Sequence, residues 1–404
     1  MVDGAPGIAR RWPGNAMRFL VAVTLSMYGD WLTTVALVVL LYRLTGSATA
    51  PAGYILVRVA PRVLGVGPGG LLADRRSPVA VLAACWGAQG LLTAALVAVS
   101  RTGSLVGIFL CVGIDQFLNA LSSPCTGAII PRLGRRTHIA RINRVYAAAQ
   151  SSSVFVVPLI GSALLLLTSV QLLLLIDAMT FFVGAALVSR IPLEEREANG
   201  VTTGKAQDGP LAGLRVAVAD PVLRVLLATF YSGAMVVTTL QAVLVVAAAE
   251  RLGNAGEVGW LYSAAGFGGV IGTAVVARWR PRQLSGALLA AIGLAELASY
   301  VGFALVPAIG ASVTFLATSS IAGVIGETWG AIDLQERVRV GLLGRVSAAV
   351  DLSLYTGMLV GAILGLVLTP ALHWQTVIVI VGSAGSAAVL LAFVATLMRS
   401  SSAR

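Results

Sequence analysis

The sequence predicts an all-α membrane protein, with twelve transmembrane helices arranged in two six-helix lobes. Three observations carry that prediction. Of the 404 residues, 57% are hydrophobic and 11% charged, with a mean hydropathy of +0.91. A soluble domain carries about 25% charged residues, so the natural solvent of this chain is lipid. Apolar runs of roughly 20 residues, long enough to cross a bilayer as helices, recur along its length. The basic residues fall between those runs on alternate sides, the bias expected of membrane loops.

In chain order, the N-terminal stretch 1–16 holds Arg10 and Arg11, and the first span is expected at 17–42. Met1–Arg18 lacks a cleavable signal pattern, so this span is read as retained. Arg43 follows it. The second span, 52–73, runs into Arg75 and Arg76, and the third, 79–99, into Arg101. The fourth, 104–126, leads to Arg132, Arg135, Arg136, Arg141 and Arg144. Spans at 143–168 and 171–190 complete an N-terminal lobe, 17–190. Residues 191–219 form the longest polar stretch, with Glu194, Glu195, Arg196, Glu197 and Lys205, and read as a linker. The C-terminal lobe, 220–398, holds spans near 222–247, 256–278, 284–306, 310–332, 346–368 and 374–398, and a tail, 399–404, closes the chain.

Of the 28 lysine and arginine residues, 23 lie on one side of this arrangement. Only Arg43, Arg101 and Arg251 lie on the other, while Arg58 and Arg62 sit inside the second span. The positive-inside bias therefore places both termini and the linker in the cytoplasm, and the chain in the cell membrane as a multi-pass protein.

A net charge of +11 raises the question of nucleic acid. Lys205 is the only lysine, and the arginines lie between spans, so the charge reports topology and no nucleic-acid partner is expected. Cys85, Cys111 and Cys125 stand at unrelated spacings. His138 and His373 have no cysteine or carboxylate at ligand spacing and read as solvated loop residues. No disulfide frame, metal or cofactor is expected. Gly65–Gly70 spells G-x-G-x-x-G inside a span without a preceding strand, and Gly200–Lys205 is one residue short of a phosphate-binding loop. With no nucleophile–His–acid constellation, the chain does not read as an enzyme. Six plus six helices around a cytoplasmic linker is the layout of a two-lobed transporter with a midplane site; a membrane sensor or partner protein is the alternative.

Short motifs add to this. Gly70-Leu71-Leu72-Ala73-Asp74-Arg75-Arg76 resembles the G-x-L-A-D-R loop signature of the major facilitator superfamily. Gly29-Asp30-Trp31, Ser123-Pro124, Ile130-Pro131-Arg132, Ile176-Asp177-Ala178-Met179-Thr180 and Gln335-Glu336-Arg337 are similar to its macrolide-efflux and enterobactin-exporter branch of drug:proton antiporters. Pro158 and Gly161 resemble the antiporter signature G-P-x-x-G-G, with Val157 and Ser162 standing where that signature has glycines. The resemblance implies a major facilitator fold, alternating access, and a cytoplasmic gate at Gly70, Asp74 and Arg75. It implies export of a small amphipathic molecule (drug, siderophore or natural product) against inward proton flow. A proton-coupled importer shares the fold and remains the alternative.

Charges within spans are costly and tend to face a partner or a water-filled cavity. Asp30 lies midway along the first span and Asp115 midway along the fourth, so both are candidates to carry the coupling proton, with Arg58 and Arg62 as charge partners. Trp31, Tyr231, Gln241 and Glu327 are candidates to line the substrate cavity. Asp177 reads as a structural residue, and Glu296 as a peripheral one. Glycines at four-residue spacing, Gly357, Gly361 and Gly365 above all, predict close helix packing.

Overall fold

The computed structural model describes residues 14–133, 136–192, 212–279, 281, 284–338 and 340–402. Within these, twelve helices of 20 residues or more follow one another: α1 (Gly14–Thr45), α2 (Thr49–Arg75), α3 (Pro78–Thr102), α4 (Leu105–Ile129), α5 (Arg136–Leu167) and α6 (Val170–Ser189), then, after a short α7 (Ala212–Ala219), α8 (Pro221–Leu252), α9 (Val258–Arg278), α10 (Gly286–Leu305), α11 (Ile309–Arg337), α12 (Val340–Leu368) and α13 (Trp374–Ser402). Eleven are long and apolar enough to cross a membrane; α2, with Arg58, Arg62 and two internal prolines, is not among them. The predicted spans agree with these helices to within a few residues, save at the start of α5 and α12 and the ends of α8 and α11. There the helix continues past the apolar run, because backbone hydrogen bonding extends beyond the lipid-facing stretch. Within the stretch read as a linker, Ala212–Ala219 form α7.

Local chemistry sets several boundaries. Asp220 caps α8 by accepting from the Val222 and Leu223 N–H groups, at 2.9 and 3.0 Å, with Pro221 at the first helical position. Ser104 caps α4 and Ser285 caps α10 in the same way. Gly103 and Gly253 end α3 and α8 at φ of 69° and 82°, a conformation that favours glycine.

The chain forms two compact units. The first comprises Met1–Thr33, Pro61–Ser153 and Gln171–Glu197. Its core gathers Phe19, Leu82, Trp86, Ile129 and Phe181. The second comprises Thr34–Ala60, Val154–Val170 and Ala198–Arg404. The units therefore cut across α1, α2 and α5. Many large apolar side chains face outward, among them Leu91, Leu110, Leu167 and Leu391. Lipid accounts for that exposure, since a soluble monomer rarely presents so much apolar surface.

In the second unit α8 is the central helix. Gly357 and Gly361 of α12 lie against the Tyr231 and Met235 carbonyls of α8, and Thr239 donates to the Gly361 carbonyl at 2.9 Å. Gly268 and Gly272 of α9 lie against Ala317 and Ile321 of α11. Small residues thus set the backbone separation where no hydrophobic drive exists between helices. At one end of this unit Arg251 donates to Ser312 Oγ at 2.7 Å and stacks over Phe303 and Trp374. Trp374 donates to Glu250 at 2.7 Å. His373, read from the sequence as merely solvated, is exposed but faces Glu250 at 3.3 Å; spacing along the chain did not reveal that pair because its partner lies on another helix.

Candidate functional site

The first unit brings α1, α3, α4 and α6 together around three carboxylates. Asp115, midway along α4, is held through both oxygens. Gln89 of α3 donates to one at 3.0 Å, and Gln116 to the other at 2.8 Å. Gln116 in turn accepts from the Arg62 Nε–H of α2 at 2.9 Å. Arg62 is thereby linked to Asp115 through an amide. Arg62 was expected from the sequence as a charge partner of Asp30 or Asp115, and the Gln116 amide touches both Arg62 and Asp115. Gln89 and Gln116 are themselves buried, so the relay runs through the interior.

Asp177 of α6 is 1% exposed. It accepts from Thr33 Oγ1 of α1 at 2.6 Å and from Thr180 Oγ1 one turn along its own helix at 3.2 Å. Gly29 makes room for it, since a side chain at residue 29 would overlap the carboxylate. Asp30, next in the chain, and Asp115 are both close enough for their charges to act on Asp177. Expected from the sequence to be structural, Asp177 joins the two predicted acids in one electrostatic group. The signal for it was present: an acid in the middle of an apolar helix. The two glutamines and Thr33 carried no signal, since amides and hydroxyls are common in membrane helices.

The remaining candidates disperse. Arg58 belongs to the second unit, beside Tyr54, and its charge acts on Tyr262. Trp31 and Gln241 are half-buried on α1 and α8. Tyr231 is half-buried, its carbonyl under Gly357. Glu327 is exposed on α11, whereas its neighbour Trp329 is buried edge-on against Trp279, with ring centroids 5.1 Å apart. Gly70, Asp74 and Arg75 fall in the last turns of α2; the surroundings of their side chains lie outside the described residues. Pro158 and Gly161 are buried in α5. The Pro158 carbonyl lies against Gly259 of α9, and Ser162 Oγ accepts from the Gly259 N–H at 2.9 Å. Gly259 is the second residue of α9, so this hydroxyl satisfies a donor that the helix itself leaves open. Arg43 closes over Gly256, just before α9.

Carboxylates gathered among apolar helices, Asp177 buried and Asp30 and Asp115 half-buried, mark a candidate functional site. Comparison with known proteins decides the family. Residues 19–332 match the Major Facilitator Superfamily. The chain belongs to that superfamily. It is a multi-pass membrane transporter for a small molecule, and not an enzyme. Among curated relatives, "Putative bacilysin exporter BacE" of Bacillus amyloliquefaciens is 25% identical over 360 residues, spanning 87% of this chain and 88% of the relative. Its namesake in Bacillus subtilis (strain 168) is 24% identical over 377 residues, spanning 91% and 92%. Solved major-facilitator structures share the fold. The nucleoside transporter NupG superposes with a TM-score of 0.72 at 14% identity, over 95% of this chain and 99% of that one. A bacterial homolog of the human lysosomal transporter Spinster, inward-facing and unoccupied, gives 0.69 at 16% identity over 95% of each chain.

Proposed function

We propose that this transporter exports a small, amphipathic organic molecule by proton-coupled antiport. The observation that carries the reading is the convergence of Asp30, Asp115 and Asp177 within the helices of one unit. A transported proton needs a carboxylate that can be charged or neutral at membrane depth, and a nearby group that responds to the change. Asp115 meets the second condition. Protonation removes the charge that holds the Gln89 and Gln116 amides, and Gln116 then loosens its grip on Arg62 of α2. A proton arriving at α4 is thus felt on a different helix. The exporter names of the relatives support the outward direction.

In this reading the lobes 17–190 and 220–398 alternate in access to a site between them. The cytoplasmic gate lies at Gly70, Asp74 and Arg75, and both termini and the linker face the cytoplasm. The contact of α5 with the start of α9 then belongs to the outer side. Trp31, Tyr231, Gln241 and Glu327 remain the proposed contacts of the substrate.

Everted membrane vesicles energised by respiration test the mechanism. With a panel of drugs, siderophores and natural products, accumulation inside everted vesicles is expected, together with partial collapse of the proton gradient. Asp30→Asn combined with Asp115→Asn is expected to reduce both at least tenfold. Undiminished gradient-driven transport in the double variant would sink the coupling role, and accumulation only in right-side-out vesicles would reverse the direction.

A further inference from the structure

A fourth acid lies in the second unit. Glu296, midway along α10, projects into a notch between α8 and α11. Gly233 of α8 and Gly323 of α11 form its walls: a Cβ built at either would stand 3.1 Å from Oε1. Both glycines are therefore occupied by the carboxylate, and any larger residue would press on it. Among the described residues Glu296 has no hydrogen-bond or ion-pair partner. The charge that reaches it from α11 is that of Glu327, which is also acidic. Tyr300, one turn further along α10, is buried beside it and feels its charge. On α8, the polar groups of this interface are Thr229 and Ser232, one turn before Gly233 and immediately before it. They are 4% and 0% exposed, and neither hydroxyl has a hydrogen-bond partner. Thr229 Oγ1 would stand 3.1 Å from a Cβ at Gly293, one turn before Glu296. On the α13 side, Gly382 and Gly385 pack against Val301, Leu297 and Ser232 and bring no charge.

A carboxylate needs several donors to stay ionised at membrane depth, and an unpaired buried charge is among the most costly features a fold can carry. This notch offers a second acid in place of a donor, its walls at Gly233 and Gly323 stand against the carboxyl oxygens, and the two α8 hydroxyls make no hydrogen bond to them. We propose that Glu296, in the notch between Gly233 and Gly323, is a proton-binding site of the C-terminal helices, separate from the group formed by Asp30, Asp115 and Asp177. Held as the acid, Glu296 carries no charge and so needs no counter-charge from the notch. Glu327, on α11, is the group whose charge acts on this site. This site stands whether or not the chain exports.

Infrared spectroscopy of the purified full-length protein in lipid, titrated with acid, tests the proposal. A carboxylic-acid C=O band is expected that is missing from Glu296→Gln, and its titration midpoint is expected to move in Glu327→Gln. If Glu296→Gln keeps every carboxylic-acid band of the parent, Glu296 is ionised throughout and the proposal fails. A midpoint that shifts with sodium concentration would also overturn it, by making the notch a metal-cation site. Should Glu296→Gln not fold, the native protein is treated with dicyclohexylcarbodiimide, which adds to a carboxylic acid in an apolar setting but not to a carboxylate. An adduct on Glu296 whose yield falls at alkaline pH supports the site. Adducts on other membrane acids with none on Glu296 at any pH would overturn it.

Discussion

A methyl group at residue 29 would overlap the Asp177 carboxylate, so the packing of α1 against α6 and the position of a buried acid rest on the same hydrogen atom. Gly29→Ala is therefore expected to destabilise the first unit by about 1–3 kcal/mol, the usual cost of overpacking. Thermal unfolding of the purified protein in detergent measures this, and an unchanged midpoint would mean that Asp177 moves aside freely. Gln116 poses a different question at the same scale. Its amide accepts from Arg62 and donates to Asp115, so Gln116→Leu cuts the relay and leaves both charged groups in place. Gradient-driven transport is expected to fall about tenfold, the equivalent of about 1.4 kcal/mol, with little change in protein yield. Transport at the parent rate would show that Arg62 does not respond to Asp115.

Between elements, the decisive contacts are backbone to backbone. The start of α9 reaches α5 because residue 259 is glycine, and Ser162 then accepts its N–H. Ser162→Ala leaves that donor without its acceptor, at a cost of about 1–3 kcal/mol if water does not replace it. The α5–α9 contact is expected to open more often. A cysteine introduced at Val258, in a background without the three native cysteines, should then react faster with a membrane-impermeant thiol reagent. Equal rates in the serine and alanine proteins would show that the hydroxyl does not hold this contact closed. The α8–α12 contact tolerates less. Gly361 rests on the Met235 carbonyl and receives the Thr239 hydrogen bond, so Gly361→Leu must separate the two helices. Loss of monodisperse protein in size-exclusion chromatography is the expected result.

For the whole molecule, the distribution of arginine makes a topological prediction. Reporter fusions within 191–219 and at the C-terminus are expected to fluoresce or fold as cytoplasmic proteins do, and fusions after Gly103 or Gly253 as external ones. A cytoplasmic signal at Gly253 would mean that the spans have been counted wrongly.

Hydropathy and charge bias belong to the local chain, and so the spans and their number were legible without tertiary information. An apolar run of 20 residues has few alternatives once lipid is the solvent. The motifs extended this to the superfamily. What a buried charge touches is another matter, because its partner sits on a different helix. Thr33 and Asp177 are 144 residues apart in the chain, and Gly233 and Gly323 lie on separate helices on either side of Glu296 in sequence. No spacing rule connects them. Nor does chain order encode that Thr34–Ala60 and Val154–Val170 belong to the same compact unit as the C-terminal helices. The sequence by itself determined a twelve-helix membrane transporter with acids at Asp30, Asp115, Asp177 and Glu296. Only the tertiary structure decided which acids share an environment, because helix neighbours, not helix sequence, set the donors and charges each one meets.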